Sequence, residues 1–456
     1  IITHNFSDRP IFEKILLNKE CTEEDKNKSV HQCYTYFKDK ISPELISPAN
    51  ILGNILFVGI DLNQSEDEQQ IFDTINSLGV SLTTAELLKN FFFNKDYQSY
   101  EKNWKSVFEK DDYTIEYWEQ EVTSGRNKRA NIDLFLQSYL MIKVQQKEFK
   151  VTAEDKEKYF KIESVFNSFK DFIKKYDVSK AEIVSEIKVF AEIYRDNINP
   201  ELIHQDIDKD SPVERLNIIM FALDTATIIP YVLYVLKSNS SEEERNSLFR
   251  YLESYLIRRI ICKETTKGYN QLFRASLINN EVSSIEKLVE EIEKKSDKVN
   301  FMPDDSILEE AFNDSRLTNK QARGILYLLE KSTRSDLQST ELKSISEFSL
   351  EHVMPKKWEN HWVANLSLEE KSLRNKKLLT LGNLTIITNK LNSSIRDSSW
   401  HDKKVGKGKN KGLSEYSRGI EIFNKYLELD DWNEEVIKVR ANELFSLAAT
   451  IVWKLK

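Results

Sequence analysis

Backbone breakers are scarce in this chain. Eleven glycines and eight prolines serve 456 residues, and a sequence interrupted so rarely is steered towards long helices. The apolar spacing agrees. In NIDLFLQSYLMIKVQQKEF (131–149), Ile132, Phe135, Leu136, Tyr139 and Leu140 recur at three- and four-residue steps, which predicts an amphipathic helix. AEIVSEIKVFAEIYRDNI (181–198) and RNSLFRYLESYLIRRIIC (245–262) read the same way. No repeat at the spacing of a solenoid is visible.

Strand signal is local. ILFVGIDL (55–62) is a β-branched apolar run that predicts a buried strand. A helix should follow it, with Ser65 and Glu68 at capping-box spacing and Gly79 at its end; Thr83 and Glu86 repeat the box before LLKNFFF. Late in the chain, SLEHVMP and LTIIT (384–388) form two further short β runs, the second introduced by Gly382-Asn383. Two basic, breaker-rich stretches read as loops: TSGRNKRAN (123–131) and KKVGKGKNKG (403–412), the second expected to be mobile and cationic. Boundaries fall near residue 110 and within the polar stretch 331–344.

Charge is unevenly distributed. The net charge of −8 argues against a chain coated for nucleic acid, yet Glu351 to Lys411 holds thirteen Lys/Arg against six Asp/Glu. A basic island in an acidic chain suits a local phosphate-binding surface. Cys21, Cys33 and Cys262 are too few and scattered for a disulfide framework or a zinc knuckle, which points to free thiols in the cytoplasm. No apolar run approaches the ~18 to 20 residues of a membrane helix. The chain begins at Ile1 rather than a methionine, and an N-terminal piece is expected to be missing.

The pair Glu351-His352 reads either as ordinary surface or as half of a metal site that cuts phosphodiester bonds. A neutral imidazole with an ordinary pKa near 6.5 can accept a proton from water. The oxygens of Glu351 and of Asn392, beyond the second β run, suit Mg²⁺ or Mn²⁺ better than zinc. Neighbouring strand positions face opposite ways, so the two side chains can address one phosphate only if the strand ends or twists there; Pro355 supports an early end. Arg258 and Arg259 are candidates for a phosphate contact or a domain interface. Trp432, Arg440 and Trp453 are expected to staple the final helix to the module that carries Glu351 and His352.

The order Glu-His, insert, Gly-Asn, strand and polar helix resembles the ββα-metal fold of HNH nucleases. The resemblance implies that His352 is the general base, that Asn383 orients it through the backbone, and that Glu351 and Asn392 ligate the metal. It also implies that Lys403 lies near the scissile phosphate; Lys390 and Lys404 join it as expected DNA contacts. Glu351 stands where many members of that family have Asp. A second resemblance, to GmrSD-type modification-dependent (type IV) restriction endonucleases, rests on Phe72, Asn76, Gly79, Leu82, Glu86, Leu87, Lys89 and Asn90. That family joins a ParB/sulfiredoxin-like N-terminal domain, a helical middle and an HNH module. Its nucleotide-hydrolysing Asp-Gly-Gln-Gln-Arg motif is absent here, so nucleotide would enter only through a missing N-terminal region.

The expected protein is therefore mainly α. Residues 1–110 form a small α/β remnant of the N-terminal domain, 111–340 a helical linker or sensor, and 341–456 an HNH module with a closing helix. It is expected to be a metal-dependent endonuclease acting on modified phage or foreign DNA in bacterial defence, with no membrane partner and with oligomerisation left open. A phosphorothioate-sensing nicking nuclease and a catalytically silent nucleic-acid-binding scaffold are the alternatives.

Overall fold

The structure, a computed structural model, describes residues 8–42, 47–54, 83–93, 96–124, 127–161, 164–293, 299–334, 342–362, 365–416 and 419–455. The strand expected at 55–62, the Ser65/Glu68 box, and Phe72, Asn76, Gly79 and Leu82 lie outside these residues. The chain divides into two units, Ile1–Ser81 and Leu82–Lys456. In the first, helices α1 (Arg9–Leu16) and α2 (Ser29–Lys40) flank a short turn of helix capped by Thr22 and Asp25. Lys14 Nζ reaches Asp25 Oδ2 at 2.6 Å and fastens the turn to α1.

The second unit is built mainly of helices. It opens with α3 (Thr84–Phe93), whose capping box forms as expected: Glu86 N donates to Thr83 Oγ1 at 3.2 Å and Thr83 N to Glu86 Oε2 at 2.8 Å. The segment read as a basic loop at 123–131 instead carries an antiparallel hairpin, β1 (Glu121–Ser124) and β2 (Asn127–Ala130). Its strands are four residues long and largely polar, too short to show an alternating pattern.

Helix α4 (Asn131–Lys143) follows directly and is buried on nearly every side, not on one face as its apolar spacing suggested. Several of its polar side chains find partners inside the fold, although Asp133 Oδ1 is buried without one. Gln137 Nε2 donates to Phe160 O at 3.0 Å, and Ser138 Oγ to Leu134 O at 2.6 Å. Lys143 Nζ donates to Glu182 and Glu186, both at 2.9 Å, on α5 (Lys180–Asn197). The apolar α6 (Ile229–Lys237) packs against both α4 and α5. Each partner offsets the cost of taking that polar group out of water.

Helix α7 (Glu242–Ile261) is the longest described and opens on a Ser241/Glu244 capping box. Arg258 and Arg259 near its end are fully buried. Arg258 donates to Trp453 O at 2.6 Å, Pro303 O at 3.1 Å and Asp305 Oδ1 at 2.7 Å. Arg259 donates to Thr265 O, Val299 O and Phe301 O at 2.6–2.8 Å. These guanidiniums are spent on internal acceptors and are not the phosphate contacts considered from sequence.

Helices α8 (Asp305–Asp314) and α9 (Asn319–Thr333) lead to the second hairpin. Strand β3 (Phe348–His352) pairs antiparallel with β4 (Leu384–Thr388), Glu351 opposite Thr385 and His352 opposite Leu384. Between them runs α10 (Leu368–Lys377). The hairpin is covered from two sides. Tyr327 of α9 meets Phe348 with ring centroids 6.3 Å apart, and Arg323 Nη1 donates to Phe348 O at 3.2 Å. On the other side, Ser349 bonds Asn389 at the start of α11 (Asn389–Ile395). Cover on both faces explains why Leu384–Ile387 are all buried and why the run lacks alternation.

Helix α12 (Trp400–Val405) precedes a tight ribbon, β5 (Gly406–Lys407) with β6 (Asn410–Lys411), where a mobile tract was expected. Gly406 and Gly408 take φ of +103° and +63°, the left-handed region that glycine enters without steric cost. The last helix, α13 (Glu434–Leu447), runs into a π-turn at Ala448–Val452 that ends at Trp453. Among the described residues no helix is long and apolar enough to cross a membrane.

Candidate active site

The β3 strand ends at His352, and the next three residues are buried. Asn383 fixes that stretch. Its carboxamide is wholly buried; Oδ1 accepts from Met354 N at 2.9 Å and Nδ2 donates to Met354 O at 2.8 Å. Nδ2 also donates to Leu378 O at 3.0 Å, while Val353 N donates to Asn383 O at 3.0 Å. One side chain thus clamps both polar groups of a residue two places beyond the imidazole.

The clamp is itself held from α13 and its approach. Trp432 Nε1 donates to Asn383 Oδ1 at 3.0 Å. Arg440 is fully buried and its Nη1 donates to Leu381 O, Gly382 O and Leu384 O at 3.2, 2.9 and 2.7 Å. Three carbonyls gathered on one guanidinium fix the turn that presents Asn383. A Cβ at Gly382 would lie 2.1 Å from Ile437 O, so the turn presses directly on the helix backbone. Sequence reading placed Trp432 and Arg440 as staples of the final helix. It did not identify Asn383 and its turn as their target. Asn383→Ala should lower the stability of the second unit by on the order of 3 kcal/mol, because Met354, Leu378 and Trp432 would each lose a buried partner. Urea denaturation of the purified chain measures this.

Glu351 precedes His352 in β3, across from Thr385, and is 5% exposed. Its partner is Lys403 of α12, with no solvent exposure, whose ammonium is salt-bridged to Glu351 and also donates to His352 O at 2.8 Å. The phosphate contact expected of Lys403 therefore gives way to an internal role. Its ammonium neutralises the carboxylate and anchors the strand end. Burial pushes the Glu351 carboxyl above its ordinary range and the Lys403 ammonium below, each opposed by the attraction of the other. Lys404 is also occupied, with Nζ donating to Leu429 O at 2.8 Å. Lys390 is exposed near the start of α11.

Burial, reinforced by the charges of Lys356 and Lys403, lowers the His352 imidazole to about 4. It is neutral at physiological pH, the form a general base requires. Asn392 sits on α11 behind the strand, with Nδ2 donating to Leu350 O at 3.3 Å, which leaves its carbonyl oxygen as the end suited to a cation. The hydroxyl of Thr385, directly across from Glu351, is buried without a hydrogen-bond partner. Nothing in the sequence singled it out.

This donor set can be tested against a divalent cation. Among the described residues no three His, Cys, Asp or Glu side chains converge. Glu351, Asn392 and Thr385 instead offer a single carboxylate with neutral oxygens. That is the protein contribution typical of Mg²⁺, which draws the rest of its shell from water and substrate phosphate. By donor chemistry alone these oxygens suit such an ion; the Glu351 carboxylate is engaged by Lys403.

Two family models match the chain. The description "GmrSD restriction endonuclease, N-terminal domain" covers residues 2–93. Residues 302–447, which contain β3, β4, α11, α12 and α13, match "GmrSD restriction endonucleases, C-terminal domain". No curated protein matches the chain. Taken together, the matches define a restriction nuclease. The chain belongs to the GmrSD restriction endonuclease family.

Proposed function

We propose that the second unit is a metal-dependent DNA endonuclease of the HNH type, with chemistry in residues 341–456 and sensing of modified DNA in the helices of 111–340. The observation that carries this reading is His352, a neutral imidazole at the end of β3. Asn383 holds the backbone behind it, and a polar helix bearing Asn392 packs beside it. His352 takes a proton from the attacking water. Glu351 and Asn392 are the residues that would hold Mg²⁺ or Mn²⁺, which supplies Lewis acidity to the phosphate and its leaving oxygen. Asn383 and Lys403 act as positioning residues, one behind the imidazole and one beneath the carboxylate.

Incubation of the full chain with supercoiled plasmid and Mg²⁺ or Mn²⁺ tests the reading. Conversion to open circle or linear DNA, stopped by EDTA, is the expected result. Open circle alone would assign nicking. DNA binding without cleavage under any divalent cation would overturn the reading in favour of a silent scaffold.

The pH dependence follows from His352. A base acts unprotonated, and this one is held near 4 rather than the ordinary 6.5. Cleavage at low substrate should therefore stay level through pH 6 and fall only as the pH drops through about 4; an acid limb near 6.5 would contradict the burial of the imidazole. Stability has the matching sign. Between pH 6.5 and about 4 the unfolded chain binds a proton that the folded chain refuses, so stability declines as pH falls across that window.

A further inference from the structure

A cleft of about 530 Å³ opens on the second unit between the loop after α8 and the outer face of α10, away from the strands. Arg316 stands on one wall, and Lys371 and Lys376 on the other. All three are exposed, and among the described residues none has an ion-pair partner. The acid on the rim, Asp314, is already engaged, with Lys377 Nζ 3.2 Å from its Oδ1. Three uncompensated cations thus face one open groove, in the spacing and exposure that favour a polyanion.

The groove is rigidly tied to the candidate active site. Asn375 in its floor accepts from Trp358 Nε1 at 3.0 Å, and the Arg374 guanidinium stacks 4.7 Å from the centre of the same indole. Arg374 is also salt-bridged to Glu434 of α13. Trp358 is six residues beyond His352, a length of chain that reaches at most about 20 Å.

We propose that this cleft binds the sugar-phosphate backbone of the duplex DNA that is cut at His352. The proposal rests on the DNA-cleaving reading above and names the surface that carries its substrate. Each phosphate contact adds about 0.9 to the slope of log affinity against log salt. The variant R316Q/K371Q/K376Q should therefore bind a fluorescein-labelled 30-base-pair duplex more weakly, with a slope shallower by about 2 to 3, when anisotropy is followed across KCl concentrations. The charge-keeping variant R316K/K371R/K376R should restore the slope, an effect that a merely structural role would not produce. Thermal melting of both variants should match the parent.

Three failures are distinguishable. Wild-type affinity and slope in the glutamine variant would overturn the cleft while leaving cleavage at His352 intact. A parent chain that neither binds duplex nor cuts plasmid would overturn the DNA-cleaving reading and the cleft with it. Loss of single-stranded RNA binding with duplex binding unchanged would also remove DNA from this surface.

Discussion

Replacing His352 with alanine is expected to slow plasmid cleavage by roughly 10²- to 10⁴-fold, the range that a positioned proton acceptor supplies. Duplex affinity and its salt dependence should not change. The side chain is partly buried at a strand end, and its described hydrogen bonding runs through its backbone, whose carbonyl accepts from Lys403. Alanine keeps that backbone, so the fold should survive and the loss should appear in kcat. A variant that cuts at the parental rate would remove His352 from the reaction. One that fails to bind DNA would show that the residue holds substrate instead.

Lys403→Met should have the largest effect on stability. Glu351 is 5% exposed and Lys403 fully buried, so methionine would leave a carboxylate in the interior without its cation. Breaking a buried pair from one side costs about 3 to 5 kcal/mol. The strand end would also lose the ammonium bound to His352 O. Adding Glu351→Gln to Lys403→Met should recover most of the stability, because the second change removes the stranded charge. Urea midpoints for the parent, the two single variants and the double variant close the cycle. Independent, additive losses would mean that the pair is not coupled. Cleavage should stay low in the double variant, since Glu351 is also the proposed cation ligand.

The sequence was legible where the signal is local. Helical spacing located α4, α5 and α7, and the Thr83/Glu86 box formed as read. The β run at 384–388 is a strand with the boundaries read for it. What local pattern could not supply was burial and pairing. Apolar spacing in α4 does not reveal that Gln137, Ser138 and Lys143 also find partners inside. Lys403 was expected near the scissile phosphate. Its carboxylate lies 52 residues away, and only the packing of α12 against β3 brings the two together. The two short ribbons at 121–130 and 406–411 were taken for loops because their strands are too brief and polar to register as strands.

The final helix has a consequence of its own. At its front, Arg440 grips the turn bearing Asn383; at its far end, Trp453 sets its indole on Glu253 and its carbonyl on Arg258 of α7. A single rod therefore bolts the strand bearing His352 to the helical body, and Glu330 of α9 adds a rivet at Glu421 and Ile422. Among the described residues, these contacts cross the boundary expected within 331–344. A cut in the polar stretch at 331–344 would bare a carboxylate and a guanidinium on one fragment and a raw indole on the other.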